Sequence, residues 1–203
     1  MRVLVVNCNS WVGYHIVDAL LMEEFLVDGV VDNDEPGSLE MFFGRNSLFE
    51  EVTLQTTKSY DIGIITDDFI TELELPKGVK RWITISTNRD KRIQSRSVTM
   101  TCIYPSLLIG EWMNMNKQGI YRYDEFIRFD SDYFKEQAIY ITDFVNALLK
   151  WIQLEKLPAS FQVFPKQENI SNKKVEKMVF LRKNRSIDTI IQLLKKHYEQ
   201  FQQ

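Results

Sequence analysis

The segment Asn7-Cys8-Asn9-Ser10-Trp11-Val12-Gly13 follows the apolar run Val3–Val6 and leads into a helical pattern. Strand, tight turn and helix start in that order, so the open N–H groups of the helix end stand where an anion can be held. A turn that binds a dinucleotide wants glycine at its first, fourth and seventh places. The first gives a sharp turn, the second lets the pyrophosphate approach the backbone, and the third packs helix on strand. Gly13 supplies the last. Asn7 stands at the first place and can turn left-handed, because its side chain bonds locally. Ser10 stands at the fourth, and its hydroxyl can donate to a phosphate or cap the helix. About 20 residues on, Asp32 ends a second apolar run, where an acid can hold a ribose hydroxyl. Asn7, Asn9, Ser10, Trp11, Val12, Gly13, Asp32 and Asn33 thus form the candidate cofactor-binding set, with NAD expected. Asp34 and Glu35 would repel the 2′-phosphate of NADP. Cys8 adjoins the helix end, which can lower a thiol pKa; an inert buried thiol is the expectation.

The elements that must position this loop alternate in type. The pattern predicts an α/β fold: a Rossmann-like, mostly parallel sheet with reduced helical cover and a small C-terminal α-rich portion. Strands are expected at Val3–Val6, Leu26–Val31, Glu51–Leu54, Ile62–Ile65, Trp82–Ile85, Val98–Ile103, Ala138–Ile141 and Phe161–Phe164. Helices are expected at Gly13–Glu24, after a Thr142-Asp143 cap, from Ser171 through Val175, Met178 and Val179, and at Ser186–Gln200. Ser38–Phe43 allows one or two helical turns, and Gly110–Phe134 has no clear period. The chain reads as one domain, 1–203, with a Rossmann-like core over 1–110 and a smaller region over 111–203. A parallel crossover needs roughly 10–12 residues, and the links between Leu54 and Val98 are short and polar. One face of the sheet is therefore expected to be thinly covered, and closed by the C-terminal helix or by a second chain.

The order of these pieces resembles the extended short-chain dehydrogenase/reductase superfamily, the NAD-dependent sugar-nucleotide epimerases and dehydratases. The likeness runs through Val3–Val6, Trp11-Val12-Gly13, Gly29-Val30-Val31-Asp32-Asn33 and Tyr60-Asp61-Ile62-Gly63-Ile64. It continues at Gly78–Ser86, at Thr99–Pro105 with Gly110, and at Ile139–Asp143. It implies a dinucleotide or nucleotide-sugar ligand. It also implies a catalytic serine or threonine after the fifth strand, where Ser86 and Thr87 stand, and a substrate cleft near Tyr104. The family's tyrosine, with lysine at the fourth position after it, is missing. None of the 8 tyrosines has that lysine, and Tyr133 has Lys135 instead. Standard hydride transfer is therefore not expected, and binding, sensing or scaffolding is. The alternative is an active oxidoreductase or epimerase with unorthodox acid/base groups such as Asp67, Asp68 or Tyr104. The family's dimer helices belong to the shortened region, so that dimer is not expected; a homo-oligomer or protein partner on the uncovered face is.

Composition removes other classes. The 203 residues carry 25 Lys+Arg against 28 Asp+Glu, a net charge of −3, which argues against a nucleic-acid partner. No apolar run reaches the ~18 residues of a membrane span. With 2 Cys and 2 His, neither a disulfide scaffold nor a metal site is expected. The expected compartment is cytoplasmic. The basic segment 166–185 is expected as a solvated helix face, Trp112, Met113, Met115 and Tyr121 as core, and Asp143 as a helix cap.

Overall fold

The computed structural model describes residues 1–31, 39–66, 74–86, 99–122, 125–166 and 178–201. The chain first runs β1 (Arg2–Val6), α1 (Trp11–Met22), β2 (Leu26–Val30), a 3-10 turn (Leu39–Phe42), β3 (Phe49–Glu51), β4 (Ile62–Thr66) and β5 (Trp82–Ile85). It continues through β6 (Met100–Pro105), β7 (Leu107–Ile109), β8 (Gly119–Arg122), β9 (Glu125–Arg128), α2 (Asp132–Gln137) and β10 (Ala138–Tyr140). It ends with α3 (Ile141–Trp151), β11 (Ser160–Pro165), β12 (Met178–Leu181) and α4 (Ile187–Phe201). Eight strands form one sheet in the order β12-β11-β6-β5-β4-β1-β2-β3, and every pairing in it is parallel. This is the α/β, Rossmann-like sheet expected from the sequence. The chain builds outward from β1 through β2 and β3, then returns to place β4 on the other side of β1. The crevice where an open parallel sheet binds ligands therefore lies at the C-terminal ends of β1 and β4.

Alternation along the strands divides the core in two. Val3, Val5, Ile62, Ile64, Ile83, Ile85, Ile103 and Val163 face the helices. There they meet Ile16 and Leu20 of α1, Phe144 and Leu148 of α3, and Ile190 and Leu194 of α4. Leu4, Val6, Val30, Ile65 and Trp82 face the opposite way, and Tyr60 and Val79 cover them with Val52, Leu54 and Leu75. None of the four described α-helices contributes to this second core. Among the described residues the cover on this face is thin, as expected, and segments on either side of β4 provide it. It still suffices, because Leu4 is 0% and Trp82 1% exposed.

A buried charge ties this cover down. Asp28, in the interior of β2, accepts hydrogen bonds from Tyr60 OH at 2.8 Å, Lys58 Nζ at 2.9 Å and Arg2 Nη1 at 3.3 Å. Lys58 also pairs with Glu50 at 2.6 Å. A carboxylate in a strand interior is tolerable only with such partners, and two of them come from the covering loop.

Several expectations need correction. The C-terminal helix packs on the helix-bearing face, not on the thin one, since Ile190 and Leu194 belong to the first core. The third strand is Phe49–Glu51 rather than Glu51–Leu54. Met178 and Val179 are not helical; they open β12, which pairs with β11 through Gln162↔Met178 and Val163↔Val179. Ser171 and Val175 lie outside the described residues, as do Lys173, Lys174 and Lys177 of the basic segment. Asp143 is not a cap: α3 starts directly from β10, and its N-cap Tyr140 makes no side-chain cap bond. Ile141, fully buried against Gly110, draws the helix start inward. Asp143 instead accepts a 2.5 Å bond from Asn184 Nδ2. The unassigned stretch contains the antiparallel hairpin of β8 and β9. Met113 and Met115 are core, whereas Tyr121 is 45% exposed.

Candidate functional site

The turn after β1 is built largely as its residue types dictate. Asn7 adopts a left-handed conformation, φ 59°. Cys8 N–H then donates to Val30 O at 3.0 Å, fastening the turn to β2. Ser10 caps α1 by accepting from Gly13 N–H at 3.0 Å. The Ser10 hydroxyl also donates to Asn7 O at 2.9 Å and lies 3.1 Å from Thr66 Oγ1. Thr66, at the end of β4, donates to Asn7 O at 3.0 Å. Gly13 is required sterically: a Cβ there would collide with Asn7 O and lie 2.9 Å from Cys8 Cα and carbonyl carbon. Helix and strand approach too closely for any side chain.

Three properties of this turn bear on a ligand. The first N–H groups of a helix have no partner inside it; Ser10 takes that of Gly13, leaving those of Trp11 and Val12 at the open end of α1. The Ser10 hydroxyl is directed inward and committed to the protein. Asn7 is 4% exposed, and its Oδ1 has no hydrogen-bond partner among the described residues. Asn9 is also buried, at 5% exposure. Cys8 is fully buried, with its sulfur against Gly29. Asp32 and Asn33 lie outside the described residues, with Asp34, Glu35, Asp67, Asp68 and Thr87.

Two candidates for chemistry are brought together further along the sheet. The β5–β6 register ends at Ile85↔Ile103, so Ser86 and Tyr104 occupy the next matched positions. Ser86 N–H donates to Ile103 O at 3.0 Å. By alternation both residues lie on the helix-poor face, at the C-terminal edge. Tyr133 sits elsewhere, on α2, where Arg122 donates to its hydroxyl at 3.2 Å.

Sequence reasoning missed a second polar cluster beside α1. His15 Nε2 lies 3.2 Å from Glu111 O, and Tyr140 OH donates to Glu111 Oε1 at 2.5 Å. Burial first, and Glu111 second, push the Tyr140 phenol up to about 12. Trp112, next in the chain, is held left-handed at φ 67°, an unusual conformation for a bulky residue. Thr66 was missed as well. The only signal available was a polar residue at the end of an apolar strand. Among the described residues no group of three or more His, Cys, Asp or Glu is placed to hold a metal ion. No helix there is long and apolar enough to cross a membrane.

No family model matches the sequence, and no curated protein matches it. Solved structures do match in fold. A dTDP-glucose 4,6-dehydratase from Bacillus anthracis, in complex with NAD, superposes with a TM-score of 0.63 at 8% identity, over 100% of this chain and 97% of that one. The Bordetella bronchiseptica enzyme WbmG, also with NAD, gives 0.60 at 10% identity, over 99% and 94%. A UDP-glucose 4-epimerase from Thermotoga maritima, with UDP-glucose, gives 0.58 at 12% identity, over 100% of both chains. The likeness is one of backbone architecture, carried by different side chains.

Proposed function

We propose that this chain, which has the fold of the extended short-chain dehydrogenase/reductase superfamily, binds a dinucleotide or nucleotide sugar at the C-terminal ends of β1 and β4. It acts there in binding, sensing or scaffolding rather than in standard hydride transfer. One observation carries the reading: Asn7 is left-handed and Gly13 is pressed against its carbonyl. That is the geometry a pyrophosphate turn needs, kept although two of its three glycines are replaced.

The residues fit such a ligand in a particular way. The backbone N–H groups of Trp11 and Val12 address the pyrophosphate. The Ser10 hydroxyl does not, because it is spent on the cap and on Asn7 O. The Asn7 amide, whose oxygen has no partner among the described residues, can respond to a bound group. Asp32 is the ribose ligand in this reading, and Asp34 and Glu35 favour NAD over NADP. Bound NAD supplies a hydride acceptor; this chain supplies position. A proton-transfer partner of the usual kind is missing, since no tyrosine carries a lysine four residues on. Calorimetric titration with NAD, NADH, NADP and NADPH tests the reading. Micromolar binding of NAD or NADH is expected, weakened roughly tenfold or more by Asp32→Ala. No binding at millimolar ligand would overturn it.

The matched positions of Ser86 and Tyr104 favour a second reading, an oxidoreductase or epimerase with Tyr104, Asp67 or Asp68 as acid/base group. NADH-linked turnover of a nucleotide sugar that disappears in Tyr104→Phe would establish it.

A further inference from the structure

The two histidines of the chain, near opposite ends of the sequence, converge on one segment. His15 of α1 lies 3.2 Å from Glu111 O and 3.7 Å from Glu111 Oε2. Because a carbonyl only accepts, Nε2 carries the proton of the neutral ring and Nδ1 would take a second. His197 of α4 packs edge-on against Trp112, with ring centroids 4.4 Å apart. Phe201, at the end of α4, lies 5.4 Å from Trp112 and 4.9 Å from His197. Trp112 also meets Phe42 at 5.5 Å and Tyr14 at 6.4 Å. The buried residues of α4 are Ile190 and Leu194. Beyond Leu194 the helix is held by half-buried Tyr198 on the core, by His197 and Phe201 on Trp112, and by an exposed ion pair of Glu199 with Lys117 at 3.3 Å.

Charged groups face this contact from every side. Asp18 and Tyr14 come from α1, and Glu111 from the segment after β7. Glu111 already accepts a hydrogen bond from Tyr140 OH, and Arg185 lies over the Tyr140 ring at 5.9 Å. Lys195 of α4 lies over the Phe129 ring at 5.5 Å. The carboxylates of Glu111 and Asp18 favour a charged His15, but burial opposes them and holds its pKa below the ordinary value. For His197 burial acts in the same direction, Glu111 opposes, and His15 adds to the lowering.

We infer that the C-terminal half of α4 is a pH-sensitive clasp, docked on Trp112 while His15 and His197 are neutral and released when both rings become charged. The direction follows from linkage. Both docked-state values lie below the ordinary histidine value of about 6.5, so the released state binds protons first. Docking is complete above that pH and is lost as pH falls through the docked-state values. The inference does not depend on a nucleotide ligand, since it uses only contacts within the chain.

Hydrogen exchange on the whole protein, corrected for intrinsic pH dependence, tests it. Between about pH 7.5 and pH 5, amides of the last two turns of α4 should lose roughly tenfold of their protection, while those of α3 keep theirs. In the double variant His15→Gln/His197→Gln that loss should fall to less than about twofold. Unchanged wild-type protection, or an equal loss in the double variant, overturns the clasp. If the double variant does not fold, proton NMR of the wild type decides: both histidine ring signals must titrate below about 6.5. Either one titrating at or above that value rejects the inference.

Discussion

The two faces of the sheet solve the same burial problem with different materials. On one, α1, α3 and α4 cover Val3, Val5, Ile62, Ile64, Ile83 and Ile85 with a continuous apolar layer. On the other, Leu4, Val6, Val30, Ile65 and Trp82 lie under short lengths of chain around Tyr60 and Val79. The first face needs no buried charge to hold its helices, because each presents a wide apolar stripe. The second has few apolar residues to offer, and a polar anchor at Asp28 takes over part of the task. Trp82 shows the same economy. Its ring packs on Gly63, in space that any Cβ would occupy. Among the described residues, large rings and a satisfied ionic cluster cover this side where helices cover the other.

Substitutions can break this contrast in order of severity. Gly13→Val acts on the helix-bearing face and forces α1 away from the backbone of Asn7 and Cys8. A loss of more than about 4 kcal/mol is expected, enough to prevent cooperative urea unfolding of a native state. Asp28→Ala acts on the other face and removes the buried acceptor shared by Tyr60, Lys58 and Arg2, leaving Lys58 only Glu50 and the Tyr60 hydroxyl only Thr56. It should cost about 2–3 kcal/mol, with exchange rising first in the loop 52–61 rather than in α1. A uniform rise across the molecule would mean that the faces are not separately anchored. The smallest effect belongs to Asp61, whose carboxylate is held below its ordinary range by Lys80 and by the Arg2 N–H. Its contribution is present above the unfolded carboxylate value and fades as pH falls through the lower folded one. Urea midpoints of wild type and Asp61→Asn should therefore differ at about pH 6 and converge in strong acid.

Much of the fold was legible because the central strands announce themselves. Val3–Val6, Ile62–Ile65 and Trp82–Ile85 are dense apolar runs between polar turns, and all three are strands. Residues 178–181 misled, since a four-residue apolar run fits a helix face or an edge strand equally well. Pairing with β11, more than ten residues earlier, decides it. The hairpin of β8 and β9 was hidden by weak alternation, with Gly119 and exposed Tyr121 and Phe126 in place of a regular apolar face. In the turn after β1, the left-handed Asn7 could be read directly because its cause is local. The inward Ser10 hydroxyl could not, because Thr66 reaches it from 56 residues away. The His15, Glu111, Tyr140 and His197 cluster was out of reach for the same reason: four stretches far apart in sequence assemble it.

The uniform strand direction also governs time. In a wholly parallel sheet every neighbour is found through a distant crossover, and such contacts form slowly. β6 gains its outer neighbour only when Ser160 pairs with Cys102 and Phe161 with Ile103. On a growing polypeptide that edge stands open while nearly sixty further residues are made, exposed to pairing with other nascent chains. The moment of greatest risk therefore falls after β6 is made and just before β11 leaves the ribosome and pairs with it.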